Sequence, residues 1–317
     1  MKLATYKDGS RDGQLVVVSR DLAQAHFATG IATRMQQLLD DWDFVSPQLE
    51  DLYATLNGGK ARHAFAFDPR LAMAPLPRAY QRAEARWDQG AGAPALAQAA
   101  SDPALGPTDD ALLAAPEADF GAGLAAVTGD LEALCTPARA LDGVRLLMLS
   151  NAWTLPGLAA ADAAAGAGPL LARPATAYAP VALTPDELGE AWRGGRVHLT
   201  LATQCNGKPF GRADAAAAMG RHFGELIAQL ARTRPLRAGC IVDSGVLAVA
   251  DADQGYACLA AKRAREALEQ GEPRSAWLQP GDGVRIEMKG CDGASLFGAI
   301  EQRLAGPAGT GGPGEAG

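Results

Sequence analysis

The sequence predicts an α+β fold, with a small N-terminal α/β domain ahead of a larger, strand-dominated C-terminal domain. Three observations carry this expectation. Apolar and β-branched runs of strand length recur along the chain, bounded by Gly, Asp and Asn turn residues. Helical periodicity is confined to a few segments, two of them adjacent near the N-terminus. A stretch rich in Ala, Gly and Pro, residues 76–108, reads as a linker between residues 1–75 and a body spanning 109–304.

The elements follow in order. LATY and QLVVVS flank Asp8-Gly9 and Asp12-Gly13, turn-forming steps that predict a hairpin. Amphipathic helices are expected over 33–41 and 46–56, the second ended by Asn57-Gly58-Gly59. Residues 71–77 read as a strand leading into the linker, and 81–107 as a loop or weak helix. In the body, 119–130 reads as a strand closed by a Gly-Asp turn, and 144–151 as a buried strand. Thr184 is placed to cap a helix over TPDELGEAWRGG, with Pro185 in its first turn and Asp186 and Glu187 at the positive end of its dipole. A second hairpin turns at Asn206-Gly207. Then come a long helix over 214–232, a short strand over 238–242 and a helix over 258–271 ending at Gly271. PGDGVRIEMKG and SLFGAIEQ supply two closing strands, and residues 305–317 are expected to be disordered.

Composition bounds the function. At 317 residues, 48% hydrophobic and 21% charged, the chain can bury a sizeable core. A net charge of −7 argues against a nucleic-acid groove or a basic membrane-binding face. Apolar runs of membrane-spanning length are absent, and the N-terminus has no apolar core of a signal peptide. Five cysteines without a CxxC pair predict reduced thiols and a cytoplasmic protein. Four scattered histidines give no His/Cys metal cluster.

A series of segments then carries a resemblance. PLPRAYQ (75–81), LGPTDD (105–110), Asp119-Phe120 with VTGD (127–130) and LDGVRLLML (141–149) come first. RPATAYAPVALTPDELGEAWRGGRVHLTL (173–201), HFGELIA (222–228), GDGVRIEMKG (281–290) and FGAIEQ (297–302) follow in the same order. Together they resemble the fumarylacetoacetate hydrolase (FAH) family, in its bacterial form with a small N-terminal domain. The resemblance implies a mixed β-roll catalytic domain, a homodimer, and a Mg²⁺ or Mn²⁺ site that cleaves, decarboxylates or isomerises β-keto acids. In that chemistry the metal polarises keto-enol oxygens, and hard divalent cations take oxygen ligands.

At the positions that the resemblance assigns to the site, the residues differ. The family strand Asp-Phe-Glu-x-Glu offers two metal-binding carboxylates on one strand face. Here those positions are Gly121 and Gly123. The third carboxylate belongs to an Asn-Asp step, which here is Asn151-Ala152. A substrate-facing Lys is Arg173, and a Gly-Ser-Gly-Thr loop is Asp243-Ser244-Gly245-Val246. A Glu before Lys-Arg in the late helix is Ala261. The linker's His-x-Glu acid/base pair is missing, with Glu84 the one Glu and no His between Gln81 and Leu105.

The pocket remnants are therefore Gly121, Gly123, Ala152, Arg173, Asp243, Ser244 and Val246, expected to surround one empty cavity. No metal or other cofactor is expected, and no catalytic residue is assigned. Arg173 either binds a small carboxylate or keto acid or pairs with an acid such as Asp243. Asp119, Asp130, His222, Cys240 and Cys258 read as structural residues rather than as acid, base or nucleophile. Two functions stay open. One is a catalytically degenerate homodimeric family member, serving as a binding or partner subunit. The other is a repurposed metal-independent isomerase, decarboxylase or cyclase acting on a keto acid or related intermediate.

Overall fold

The computed structural model describes residues 1–86, 95–101, 104–113, 115–165, 171–247 and 252–306. The N-terminal part holds β1 (Lys2–Tyr6), β2 (Gln14–Val18), β3 (Gln24–Phe27), helices α1 (Met35–Asp40) and α2 (Trp42–Asn57), and β4 (Phe65–Ala66). Next come β5 (Gln81–Arg86), β6 (Ala95–Ala99), β7 (Ala104–Leu105), β8 (Ala111–Leu112), β9 (Ala122–Thr128), α3 (Pro137–Asp142) and β10 (Val144–Trp153). After α4 (Pro156–Ala165) follow β11 (Ala175–Tyr178), β12 (Ala182–Leu183), β13 (Trp192–Arg193), β14 (Arg196–Val197), β15 (Thr200–Cys205) and β16 (Lys208–Asp214). Helices α5 (Ala215–Ala218) and α6 (Phe223–Leu230), β17 (Cys240–Asp243), α7 (Leu259–Gln270), β18 (Gly283–Met288) and β19 (Ile300–Ala305) complete the chain.

Among the described residues, twelve strands form one sheet in the order β4-β3-β2-β1-β12-β10-β9-β17-β5-β6, with β11 on β10 and β7 on β11. Five strands form a second sheet, β16-β15-β18-β19-β8. The mixed helix-and-strand class is the one expected. The strands of residues 1–75 join the large sheet directly, through the antiparallel pairing of β1 with β12.

The central strands are apolar on both faces, as a sheet covered on both sides requires. Leu124, Ala126, Leu147 and Leu149 share a core with Ile286, Met288 and Ile300 of the second sheet. Their alternating neighbours Ala125, Val127, Leu146 and Met148 share another core with Leu38 and Leu49 of α1 and α2. A polar pin crosses between the sheets. Gln302 Oε1 accepts from Asn151 Nδ2 (3.2 Å) and Trp153 Nε1 (3.0 Å), while its Nε2 donates to the Asp109 carbonyl (2.8 Å). No helix among the described residues is long and apolar enough to cross a membrane.

The structure corrects five local expectations. Residues 81–86 and 95–99 are strands rather than loop or weak helix, because β5 is held by parallel pairing to β17 and antiparallel pairing to β6. Tertiary pairing overrides the low β-propensity of an Ala- and charge-rich segment. Linker residues 87–94 and 102–103 lie outside the described residues. Residues 71–77 make only an isolated bridge at Ala72, since Pro75 and Pro77 have no N–H to give a ladder. The segment Pro185–Ala191 is a 3₁₀ turn kinked at Gly189 (φ 50°, ψ −129°), and Thr184 Oγ1 accepts from the Met1 ammonium instead of capping it. The helix expected over 214–232 is two helices. Asp214 caps α5, and His222 is the N-cap of α6, its N–H bonded to Glu225 Oε2 (3.0 Å). Of the tail, Ala305 ends β19, and 307–317 lie outside the described residues.

Candidate functional site

Gly121, Gly123 and Ala152 meet where β9 pairs with β10. Ser150 lies opposite Gly123 and Asn151 opposite Ala122, and the Ala152 N–H donates to the Gly121 carbonyl (2.9 Å). Asn151 Oδ1 in turn accepts from the Gly121 N–H (3.1 Å). The expected convergence is present, and the start of the loop after β17 packs closely on both glycines. A Cβ on Gly121 would lie 2.7 Å from Val246 Cγ2, and one on Gly123 would lie 2.6 Å from the Gly245 carbonyl oxygen. The same Gly123 Cβ would stand 3.1 Å from Ser150 Oγ and 3.3 Å from Asp243 Oδ1. A Cβ at either position therefore requires Val246 or the Gly245 backbone to shift.

Beside these glycines lies a buried ionic quartet. Arg82 and Glu84 are two residues apart on β5 and so share a strand face. Parallel pairing sets Glu84 directly opposite Asp243 of β17. Two like charges in that position repel. Arg82 answers both: its Nη2 lies 3.4 Å from Glu84 Oε2 and 3.4 Å from Asp243 Oδ2. Arg173, in the turn before β11, donates from Nη1 to Glu84 Oε1. Asp243 Oδ1 accepts from the Gly245 N–H (2.9 Å). Arg82, Glu84 and Asp243 are 2%, 1% and 1% exposed, and the Arg173 side chain 16%.

Two cations and two anions cancel. The balance is needed, because removing one partner of a buried ion pair costs about 3–5 kcal/mol. Burial pushes the Arg173 guanidinium down to about 10, with Arg82 adding to the effect and Asp243 opposing it. Burial works against the charge of Arg82 too, yet Tyr178 and Asp243 hold it above its ordinary value. The phenol of Tyr178 is pushed up to about 12 by burial, against the pull of Arg82. Arg173 therefore pairs with an acid, as one reading of the sequence expected, but the acid is Glu84 rather than Asp243.

The remaining polar groups hold backbone in place. Ser244 Oγ accepts from the Leu124 N–H (3.0 Å) and donates to the Gly245 carbonyl (2.8 Å), which ties the loop to β9. Asp119 Oδ1 accepts from the Phe120 and Leu259 N–H groups (2.8 and 2.7 Å), and Oδ2 accepts from the Ala260 N–H (2.8 Å). It thereby satisfies the first orphan donors of α7. Burial pushes Asp119 up to about 6 against those hydrogen bonds. The Cys258 Sγ accepts from the Ala261 N–H (3.4 Å), and burial pushes this thiol up to about 12, far from thiolate chemistry. Asp130 Oδ1 accepts from the Ala238 N–H (2.9 Å).

Sequence reasoning missed Arg82 and Tyr178 and read Glu84 only as a leftover of the linker. The available signal was the alternation Arg82-Ala83-Glu84-Ala85, two opposite charges on one face of a period-2 segment. Gln302 and Trp153 gave no such signal, since only the packing of the two sheets brings them together.

The donor set at these positions does not fit a hard divalent cation. Gly121, Gly123 and Ala152 present no side-chain oxygen, and Glu84 and Asp243 face arginines. Among the described residues, no three His, Cys, Asp or Glu side chains are grouped so as to hold a metal ion.

Two outcomes are expected. Gly123→Ala costs more stability than Gly121→Ala, about 1–3 kcal/mol for the former in urea unfolding, because it meets a backbone carbonyl rather than a valine methyl. The second concerns pH. Asp119 has its folded pKa raised to about 6 from 3.8, so the native state binds the extra proton between these values. Stability from this group is present below about 3.8 and is lost as pH rises through about 6. The stability gap between wild type and Asp119→Asn therefore shifts in favour of wild type by up to about 3 kcal/mol as pH falls from 7 to 4. A gap independent of pH would contradict the raised pKa.

Residues 1–78 match the family model "Fumarylacetoacetase N-terminal domain 2", and residues 77–305 match "Fumarylacetoacetate (FAA) hydrolase C-terminal". No curated protein matches the chain. Several solved structures share the fold at low identity. A probable 2-hydroxyhepta-2,4-diene-1,7-dioate isomerase from Mycobacterium abscessus is 17% identical with a TM-score of 0.68, over 96% of this chain and 99% of its own. The fumarylacetoacetate hydrolase of Exiguobacterium antarcticum is 16% identical with a TM-score of 0.67, over 96% and 99%. Maleylpyruvate hydrolase from Sphingobium sp. SYK-6, in complex with manganese(II) and pyruvate, is 15% identical with a TM-score of 0.64, over 96% and 99%. From its two matched domains, the chain belongs to the fumarylacetoacetate hydrolase family.

Proposed function

We propose that this chain is a catalytically inactive member of the family, whose metal and substrate site has become a closed, charge-neutral part of the core. The observation that carries the reading is the close packing at Gly121 and Gly123, where Val246 Cγ2 and the Gly245 carbonyl come within 2.7 and 2.6 Å of where a Cβ would stand. The missing carboxylates and the paired arginines support it. Mg²⁺ dehydrates reluctantly and is ordinarily held by at least one or two carboxylates. The Sphingobium relative carries manganese and pyruvate, whereas this chain offers glycine, glycine and alanine where the resemblance implies metal-binding carboxylates.

On this reading the chain acts as a partner subunit, most simply within a homodimer. A small carboxylate or keto acid is its ligand only where it can reach Arg173, whose guanidinium is engaged by Glu84. The alternative, a metal-independent isomerase, decarboxylase or cyclase, finds no favouring observation. Glu84 and Asp243 are engaged by arginines, and Asp119, Ser244 and Cys258 accept from backbone N–H groups.

The test is metal content after dialysis, titration with Mn²⁺, and turnover of acylpyruvates with and without Mn²⁺. The expected result is no stoichiometric metal and no turnover. About one ion per chain, or activity stimulated by Mn²⁺, would overturn the proposal. Metal-free turnover of a keto acid would favour the repurposed enzyme.

A further inference from the structure

The quartet is balanced, but its members are not equally placed. Arg82, Glu84 and Asp243 have side chains 2–3% exposed, and Arg173, at 16%, is the member that reaches outward. Asp243 has Arg82 and the Gly245 N–H as partners. Glu84 bridges Arg82 and Arg173. Among the described residues, Arg173 has no hydrogen-bonded carboxylate other than Glu84. A guanidinium is a planar fork of donors that matches a carboxylate, and here its partner is supplied by the chain itself.

We propose that Glu84 is an internal ligand. Strand β5 delivers a carboxylate into an anion site built by Arg173 and Arg82, and that carboxylate keeps the site closed to small carboxylates in solution. The inference rests on the closed-site reading above. Its physical content is a charge count. With Glu84 present, the four groups sum to zero. With Glu84 truncated, two guanidiniums face one carboxylate, leaving one buried positive charge and a void of the size of the lost carboxymethyl group. A buried unpaired charge is strongly unfavourable, so the truncated site should draw in a small anion of carboxylate shape. Formate and acetate fit that description.

The experiment compares wild type, Glu84→Ala and Glu84→Ala/Arg173→Ala. Each is titrated with sodium formate and sodium acetate by calorimetry and thermal unfolding, with sodium chloride at equal ionic strength as the control. Glu84→Ala is expected to bind formate and acetate about tenfold or more tightly than either the wild type or the double variant. Carboxylate-independent behaviour of Glu84→Ala, or equal binding by wild type, would overturn the proposal. Should Glu84→Ala fail to fold in chloride, its refolding yield in formate against chloride gives the same comparison. Recovery in the single but not the double variant supports the internal ligand, and no recovery in formate overturns it. Metal content measured on the wild-type sample separates the two readings. Bound Mn²⁺ would remove the closed-site reading, whereas a metal-free protein without formate rescue would remove only the role given to Glu84.

Discussion

Charge balance in a dry interior governs the centre of this molecule. Parallel pairing of β5 with β17 forces Glu84 and Asp243 to face each other where solvent barely reaches. Two carboxylates cannot remain ionised there without compensation. Arg82 lies between them and Arg173 covers Glu84, so the strand pairing, the turn before β11 and the loop after β17 are all held by one set of charges. Replacing a buried ion cluster with apolar residues is often neutral or stabilising, whereas breaking it is costly. The quartet is therefore better read as fixing the register of β5 than as a source of net stability.

The same set of charges explains why the neighbouring positions are small. Asp243 Oδ1 comes within 3.3 Å of where a Gly123 Cβ would stand, and it orders Gly245, whose carbonyl stands 2.6 Å from that point. Val246 then packs into the space over Gly121. Ser244 fastens the loop to β9 through Leu124. The start of the loop thus stands where a Cβ at 121 or 123 would lie. A side chain at Gly123 would require the Gly245 backbone to move.

Much of the fold was legible in the sequence because it is written in local patterns. The β1–β2 hairpin, β9, β10, the β15–β16 hairpin and α7 with its left-handed Gly271 all follow from period, turn residues and caps. The failures have one tertiary and two local causes. β5 has poor β-propensity and exists because β17 and β6 pair with it. The broken helix at 214–232 turns on a cap made by Glu225, and the Pro185–Ala191 turn on a kink at Gly189. At the site, the positions without carboxylates were readable from the residues and their family resemblance. The ionic quartet beside them was not, because the Arg82–Glu84 pair, Arg173 and Asp243 come from three distant segments and meet only through strand register.

The measurement that bears most directly on the closed, charge-balanced centre is urea unfolding of Arg82→Met beside a fully neutral variant, Arg82→Met/Glu84→Gln/Asp243→Asn/Arg173→Met. A lone Arg82→Met leaves two buried carboxylates facing each other. It is expected to lose about 3–5 kcal/mol, while the neutral variant recovers most of that loss despite carrying three more substitutions. A cost below about 0.5 kcal/mol for Arg82→Met, typical of an exposed side chain, would contradict the buried quartet.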